Sequence, residues 1–262
     1  MKEIIITSQN KKIIIPDGAE VIIIDRPFLK NSATNKPIES IKIIIGRDCQ
    51  VQYIFLAASG DQGVLTPREL IVGDRSKVIS YRAYFQAGAS ESKFTNSLGT
   101  GADFDSRVLF YFSGSESFVA SDDYVFTKPG TRGRFSVIGL LNEEAIAKYY
   151  SNIIINPLAQ QTDSRIDMKL YLMSRTAKGQ MLPGLKIDAN EVKAGHGAST
   201  FQLSPEDIFY LCSRGLTEKQ ARELVINSLT ARFTEGLPVK LKKEILGEIK
   251  KKNQIKTKLA TK

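Results

Sequence analysis

The sequence predicts an all-β core, folded as a parallel β-helix, followed by a C-terminal α-helical segment. The triplet Ile-Ile-Ile recurs at 4–6, 13–15, 22–24, 43–45 and 153–155. β-Branched runs of this kind favour strands, because their stiff side chains pack well on a pleated surface. Clusters of glycine, proline and polar residues separate the apolar runs and predict turns. After Gly197 the spacing of apolar residues changes from that of strands to that of helices.

Similar units recur in the strand region, which favours a solenoid. Residues 13–24, 43–55 and 70–81 each contain an apolar run, a short polar turn and a second apolar run. Units of this kind bury their apolar faces by stacking on their neighbours. Many short strands also fit a sandwich or a barrel. The strand region, about 180 residues long, exceeds what one simple sandwich needs.

Three helices are predicted after the strands. Ser204 and Pro205 have the residue types of an N-cap and a first helical position, and Gly215 fits the end of that helix. Thr217 and Gln220 have the spacing of a capping box, which begins the second helix, and Gly236 ends it. The third helix starts at about residue 238. We expect these helices to bury Ile208, Phe209, Leu211 and Cys212; Ala221, Leu224, Val225, Leu229 and Phe233; and Leu241, Ile245, Leu246 and Ile249.

The positive charge is concentrated at the C-terminal end. The chain has a net charge of +9, and residues 240–262 contain nine lysines against Glu244 and Glu248. A lysine-rich tail with few aromatics is typical of a solvated extension. It could contact phosphates without reading bases, so we expect no specific nucleic-acid partner. We divide the chain into a β-helix core (1–200), a helical segment (201–251) and a basic flexible tail (252–262).

Cysteines and apolar runs indicate a cytoplasmic protein without a membrane span. Cys49 and Cys212 are far apart, and neither belongs to a pair with zinc-site spacing. We expect Cys212 to pack inertly on a helix face and Cys49, beside a turn, to be more exposed. No apolar run reaches the roughly 20 residues of a membrane helix. The first apolar segment is too short for a signal peptide.

Common catalytic motifs are missing from the sequence. There is no Gly-x-x-x-x-Gly-Lys-Ser/Thr loop, no His-Glu-x-x-His and no Gly-x-Ser-x-Gly. We therefore predict that the chain is not an enzyme. The alternative is a β-solenoid enzyme acting on carbohydrate, which would need carboxylates converging in one groove. Its candidate carboxylates are Asp103, Asp105, Asp122, Asp123, Asp163 and Asp167.

His196 is the strongest candidate for a functional residue. It is the only histidine, and it lies between Gly195 and Gly197 where the strands give way to helices. The flanking glycines remove neighbouring side chains and let another backbone or a cluster approach. A neutral imidazole can bind a metal or carry a proton. One histidine and two distant cysteines do not make a four-ligand site, so a metal here would need ligands from a second chain.

The residues around His196 resemble a known family. Residues 183–199, PGLKIDANEVKAGHGAS, are followed by Phe209-Tyr210-Leu211, Ser213-Arg214-Gly215 and Ala221-Arg222. This order is similar to the C-terminal core of the SufB/SufD family, the scaffold subunits of iron–sulfur cluster assembly in the SUF system. Gly197 occupies the position where SufB-like members tend to have glutamate, so the chain looks more like SufD. Many SufD-like sequences carry a cysteine shortly before this histidine, where this chain has Lys193, Ala194 and Gly195.

The resemblance implies a fold, partners and a site. The β-helix would be right-handed, and the C-terminal helices would dock a SufC-like ABC ATPase, with Arg214, Gly215 and Leu216 as the docking residues. A SufB-like scaffold subunit or an identical chain would pair with the β-helix. His196 would be the cofactor- and metal-binding residue for a transient iron–sulfur cluster shared with that subunit, with no intrinsic cofactor. Because the sequence begins with strand-like runs, we expect no counterpart of the family's N-terminal helical region in these residues.

Overall fold

The protein is described by a computed structural model that covers residues 1–6, 11–27, 40–59 and 62–254. Its strands form two sheets in which every pairing is parallel, and successive strands alternate between the sheets with one exception, where two consecutive strands belong to the second sheet. This is the topology of a β-solenoid, so the prediction of a parallel β-helix core is confirmed. The first sheet contains β1 (Lys2–Ile6), β3 (Glu20–Asp25), β5 (Gln50–Ala57), β8 (Lys77–Tyr84), β10 (Asp103–Phe112), β12 (Arg132–Leu141), β14 (Asp163–Leu172) and β16 (Lys193–Gln202). The second contains β2 (Lys12–Ile15), β4 (Ile41–Ile45), β6 (Gln62–Val64), β7 (Arg68–Val72), β9 (Ala87–Leu98), β11 (Ser117–Phe126), β13 (Ile146–Ile155) and β15 (Lys178–Ile187).

Like residues stack on one another between successive coils. Ile13 pairs with Ile43, and Ile43 pairs with Leu70. All three are buried, because alternate residues of each strand point into the space between the two sheets. Alternate residues of the recurring Ile-Ile-Ile runs therefore point inward and form continuous apolar columns through successive coils.

The turns at one corner of the solenoid also stack. Asp48 and Arg75 have positive φ values of 56°, and their amides donate to the carbonyls of Asp74 and Thr100 at 2.9 and 2.8 Å. A Cβ on Gly73 would lie 2.4 Å from the carbonyl oxygen of Gly46. Glycine is therefore required there by the close approach of two turns.

The interior of the solenoid contains charge as well as apolar side chains. Arg82 of the first sheet donates to both carboxylate oxygens of Asp122 in the second sheet, at 2.6 and 2.8 Å. Arg68 and Asp25 make a second buried pair. These pairs join the two sheets across the core, and both are almost completely shielded from water.

Three helices follow the strands, as predicted: α1 (Pro205–Ser213), α2 (Glu218–Ala231) and α3 (Val239–Gln254). The predicted caps are confirmed. The hydroxyl of Ser204 accepts from the amide of Asp207, and that of Thr217 accepts from the amide of Gln220. Both helices have complete capping boxes, which satisfy amides that the first helical turn leaves unpaired.

The helices cover the outer face of the first sheet. Apolar side chains of α2 and α3 pack on outward-facing residues of several strands; the strand residues include Ile54, Leu56, Tyr81, Ala83, Leu109, Tyr111 and Leu140, and the helical segment contributes Ile226, Phe233, Leu237, Leu241, Ile245 and Ile249. Three predicted core residues are wrong, because Phe209, Leu224 and Leu246 are exposed. Ile226 is buried instead, since α2 turns this position toward the sheet.

Helix α3 is fixed to successive coils by polar contacts. Glu244 binds Arg26 at 2.5 Å, and Glu248 accepts from the amide of Ser59 at 2.9 Å. Lys252 is buried and binds Glu116 at 2.5 Å. The helix therefore continues through Gln254, past the predicted start of a basic tail at residue 252, and residues 255–262 lie outside the described part of the chain.

Candidate functional site

The last coil leaves one end of the solenoid open. Leu185 and Ile187 of β15 lie in register with buried Ile153 and Ile155. They are nevertheless each 39% exposed, because no further described coil covers them. At the other end, Ile6 and Ile15 are only 1% exposed. Among the described residues, inward-facing side chains are thus more exposed at the C-terminal end of the solenoid than at the other end, where Ile4 is half-buried.

His196 lies at this open end. It pairs in register with Ile166, which pairs with Phe135, and both of those side chains are buried in the core. Because inward positions stay aligned between paired strands, His196 continues an inward column. The imidazole is exposed only because the column stops there. It therefore stands at the end of an apolar stack.

The imidazole has no metal-binding partners among the residues that the structure describes. No group of three His, Cys, Asp or Glu side chains that could hold a metal is found there. Cys49 is buried, contrary to our expectation, since its thiol packs under a turn and donates to the carbonyl of Pro16 at 3.1 Å. Cys212 is half-buried beside a groove rather than packed in a core. His196 would thus bring a single ligand to any metal or cluster.

The glycines beside His196 face the other side of the strand. Gly195 and Gly197 pair in register with Arg165 and Asp167 on the outer surface of β14. The Arg165 guanidinium donates to the Asp167 carboxylate at 3.0 Å. A Cβ on Gly197 would lie 3.3 Å from this carboxylate and 3.8 Å from the guanidinium. The glycines therefore make room for an ion pair that leans over β16.

The two terminal strands differ as edges. β16 ends the first sheet and β15 ends the second. β15 contains Pro183, which lacks an amide hydrogen and is tolerated only on an edge. Between Lys193 and Gln202, β16 has no proline and no charged side chain. The usual devices that block pairing at a free edge are therefore missing from the middle of β16.

The expected ATPase-docking residues lie at the end of α1. Arg214 is the exposed C-cap, with its guanidinium 5.3 Å from the centre of the Tyr210 ring. Gly215 has a φ of +95°, which lets the chain reverse after the helix. Leu216 is half-buried. The three residues form one connected corner between α1 and α2.

Sequence reasoning missed the aromatic surface beside this corner. Phe209 and Tyr210 are 74% and 57% exposed, although Phe209 had been expected to be buried. The reason is that α1 packs chiefly against α2 and leaves a groove of about 980 Å³ between itself and the solenoid. Met173, Leu203, Ile208, Cys212 and Ile226 contribute to its lining. Exposed aromatic side chains are typical of protein interfaces.

The candidate carboxylates of a carbohydrate enzyme do not form a catalytic pair. Asp122 is buried against Arg82, and Asp123 accepts from Asn152 at 2.8 Å. The other four carboxylates each lie within 4 Å of an arginine nitrogen: Asp103 with Arg132, Asp105 with Arg107, Asp163 with Arg134 and Asp167 with Arg165. These four ion pairs lie on the surface of the solenoid. This arrangement gives the carbohydrate alternative no support.

Arg165 was a second residue that sequence reasoning did not single out. The signal was present, because Arg165-Ile-Asp167 and Gly195-His-Gly197 have the same two-residue spacing. Recognising it required the register between β14 and β16, which only the fold supplies.

None of the described helices is both long enough and apolar enough to span a bilayer.

Comparison with known proteins identifies a family. Residues 5–229 match the model of the SufBD core domain of the SUF system for iron–sulfur cluster assembly. The chain is 25% identical over 215 residues to the iron–sulfur cluster assembly protein SufD of Bacillus subtilis, across 80% of this chain and 49% of the relative. It is 32% identical over 111 residues to SufD of Escherichia coli, across 42% of this chain and 26% of the relative.

A further relative matches a shorter stretch of the chain. An iron–sulfur cluster assembly SufBD family protein of Pyrococcus horikoshii is 31% identical over 93 residues, across 36% of this chain and 20% of the relative. The chain therefore spans about half, or less, of the length of these relatives. The family model nevertheless covers most of the chain, including the strands that carry His196 and the start of the helical segment. The chain belongs to the SufBD family of iron–sulfur cluster assembly proteins.

Proposed function

We propose that this chain is a non-enzymatic scaffold subunit of a cytoplasmic iron–sulfur cluster assembly complex. Its open end would pair with a SufB-like or identical subunit, and its helices would dock a SufC-like ABC ATPase. The single observation that carries the proposal is the exposed end of the core, where His196 lies on an apolar stack. Exposed core residues are costly in water and mark a surface that another chain covers.

The cluster is cargo in this proposal, held at the interface between two subunits. His196 supplies one imidazole, and the second subunit supplies the remaining ligands. The apolar residues around it, such as Leu185 and Ile187, exclude water once the two ends meet. Exclusion of water protects a nascent cluster, because it keeps competing ligands away from iron.

The helical segment would receive the ATPase at the corner of α1. The positively charged guanidinium of Arg214 lies over the Tyr210 ring, and Phe209 and Tyr210 present exposed apolar surface. Aromatic and arginine side chains are the residues that most often dominate binding energy at interfaces. Movement of the ATPase would reach the solenoid through α2 and α3, which pack on the first sheet.

An anaerobic pull-down from the native host tests this function. The chain should recover an ABC-type ATPase together with iron and acid-labile sulfide, identified by mass spectrometry and chemical assay. Arg214→Glu should reduce recovery of the ATPase, whereas Arg232→Glu, at the exposed end of α2, should not. Recovery of the chain alone, without ATPase or iron, would leave the family fold without this function.

A further inference from the structure

The groove between α1 and the solenoid lies where α3 ends. The hydroxyl of Tyr111 donates to the side chain of Asn253 at 2.6 Å, and both residues line the groove. Its volume is about 980 Å³, and Met173, Ile208 and Ile226 contribute buried apolar side chains to its floor. Because α1 packs chiefly against α2, this groove separates much of α1 from the strands.

Helix α3 runs across the coils toward this groove. Its Glu244 binds Arg26, directly after β3, and its Asn253 binds Tyr111 of β10. The strands of the first sheet follow the order β3, β5, β8, β10, β12, β14 and β16. The helix therefore advances toward the open end of the solenoid, where Leu203, directly after β16, also lines the groove. The chain that follows α3 starts beside the groove and needs no linker to enter it.

The eight residues after α3 have two apolar side chains at a spacing that fits the groove floor. Leu241, Ile245 and Ile249 of α3 recur every four residues and are buried on the first sheet. Ile255 and Leu259 have the same four-residue spacing. Residues four apart share a face in a helix and also in a strand. Either conformation would therefore let both side chains meet one apolar surface.

We propose that residues 255–262 occupy this groove, with Ile255 and Leu259 on its apolar floor. Eight residues reach about 12 Å as a helix and about 26–29 Å when extended, so the segment can extend into the groove from Asn253. The seated segment joins α1 to the solenoid and supports the aromatic surface that α1 presents. The purified chain supplies this occupant itself, without the ATPase or the second subunit proposed above.

Apolar contact rather than charge carries the fit. The rim of the groove contains side chains of both signs, which are Arg175, Glu218, Lys219, Arg222 and Glu223. The segment contains Lys256, Lys258 and Lys262 and no acidic side chain. A rim of mixed charge gives these lysines no net attraction, whereas burial of Ile255 and Leu259 removes apolar surface from water.

Cys212 reports whether the groove is filled. It is half-buried and lines the groove, whereas Cys49 is 1% exposed under a turn. Alkylation of the purified 262-residue chain with N-ethylmaleimide, followed by peptide mass spectrometry, gives a rate for each cysteine. Leu259→Asp puts a charge on the apolar floor and should release the segment. The alkylation rate of Cys212 should rise by about tenfold or more.

The matched control is Ala260→Asp. It adds the same charge to the same segment, but residue 260 is rotated from Leu259 by about 100° in a helix and about 180° in a strand. Cys212 should therefore react in this variant at the wild-type rate. Cys49 should react slowly in all three chains, and circular dichroism with a thermal melt checks that each is folded.

Two results with the purified chain would overturn the segment as occupant. One is an equal Cys212 rate in the wild-type chain and in Leu259→Asp. The other is protection of Cys212 that disappears in about 1 M sodium chloride, because salt screens charge contacts but leaves apolar contacts in place.

Addition of a SufC-like ATPase separates this inference from the proposed function. Protection of Cys212 that appears only after the ATPase is added would overturn the segment as occupant and support ATPase docking. Protection in the purified chain, together with no binding of the ATPase, would support the seated segment and contradict the proposed docking.

The expected result is protection of Cys212 in the purified wild-type chain, in high salt as well as in low salt, and its loss in Leu259→Asp.

Discussion

The buried arginine–aspartate pairs depend on residues that are distant in sequence. Arg82 donates to Asp122, Ser106 and Tyr124 inside the solenoid. Burial opposes the charge of Arg82, but the nearby Asp122 carboxylate more than offsets it and raises the pKa of the guanidinium. The charge is therefore retained in the core, and its partner becomes essential.

Asp122→Asn should destabilise the fold strongly. The amide fills the same space but leaves the buried guanidinium uncompensated, and breaking a buried pair in this way costs about 3–5 kcal/mol. Asp48→Asn breaks an exposed pair with Arg75, which water screens, and should destabilise the fold much less. The free energies of unfolding from urea titrations compare the two. Equal small losses would show that Arg82 does not rely on Asp122.

The sequence could not reveal these pairs, although it did reveal the inward columns. Arg82 and Asp122 are 40 residues apart, and nothing local links an arginine to an aspartate at that distance. The same limit applied to the functional site. His196 was identifiable from composition and resemblance, whereas the ion pair of Arg165 and Asp167 beside it became visible only when β14 and β16 were placed in register.

At the scale of elements, local sequence signals predicted the helix caps correctly, but helical spacing did not predict which side of each helix is buried. The caps at Ser204 and Thr217 were predicted from neighbouring residues and are present. The buried face of each helix depends on what it packs against. Helical spacing alone put Leu224 and Leu246 in the core, but both are exposed because the sheet contacts a different side of the helix.

Helix α3 should separate from the solenoid in acid. The hydrogen bond from Arg26 lowers the pKa of Glu244. Burial opposes ionisation of Glu248, but hydrogen bonds from Lys251 and Ser59 more than offset it and lower its pKa too. A carboxyl whose pKa is lowered by folding stabilises the folded state above its ordinary value and loses this effect as the pH falls through the folded pKa.

The expected window is therefore below about pH 4.5, the ordinary value for glutamate. Hydrogen exchange measured at several pH values, corrected for the intrinsic rate, should show α3 losing protection before β10 and β12. A Glu244→Gln variant should move the loss of α3 protection to higher pH, because one of the two contacts is already weakened. Simultaneous loss in helix and strands would contradict this order.

At the scale of the whole molecule, α2 and α3 connect coils of the solenoid that are not adjacent to each other. In a repeat protein each coil contacts only the next. Here α3 joins the turn after β3, at Arg26, to the turns near Ser59 and Glu116. Distant coils are thereby held together, and the helical segment stabilises the core as well as offering a docking surface.

Because α3 contacts the core, some residues of the lysine-rich end also stabilise the fold. Truncation after Gly247 would remove Glu248 and Lys252 with their contacts to the core. A loss of nucleic-acid binding in such a chain could therefore reflect damage to the fold. Lys250→Gln changes an exposed lysine of α3 and leaves those contacts in place.

The central claim is that His196 at the open end serves cluster assembly, and cluster transfer tests it most directly. The measurement is the rate at which the anaerobically purified complex delivers a cluster to an apo-acceptor, followed by the acceptor's absorbance. We predict that His196→Ala impairs transfer while the fold and the ATPase partner are retained, and that Thr200→Ala, further along the same strand, transfers normally. Transfer by His196→Ala at the wild-type rate would contradict the account.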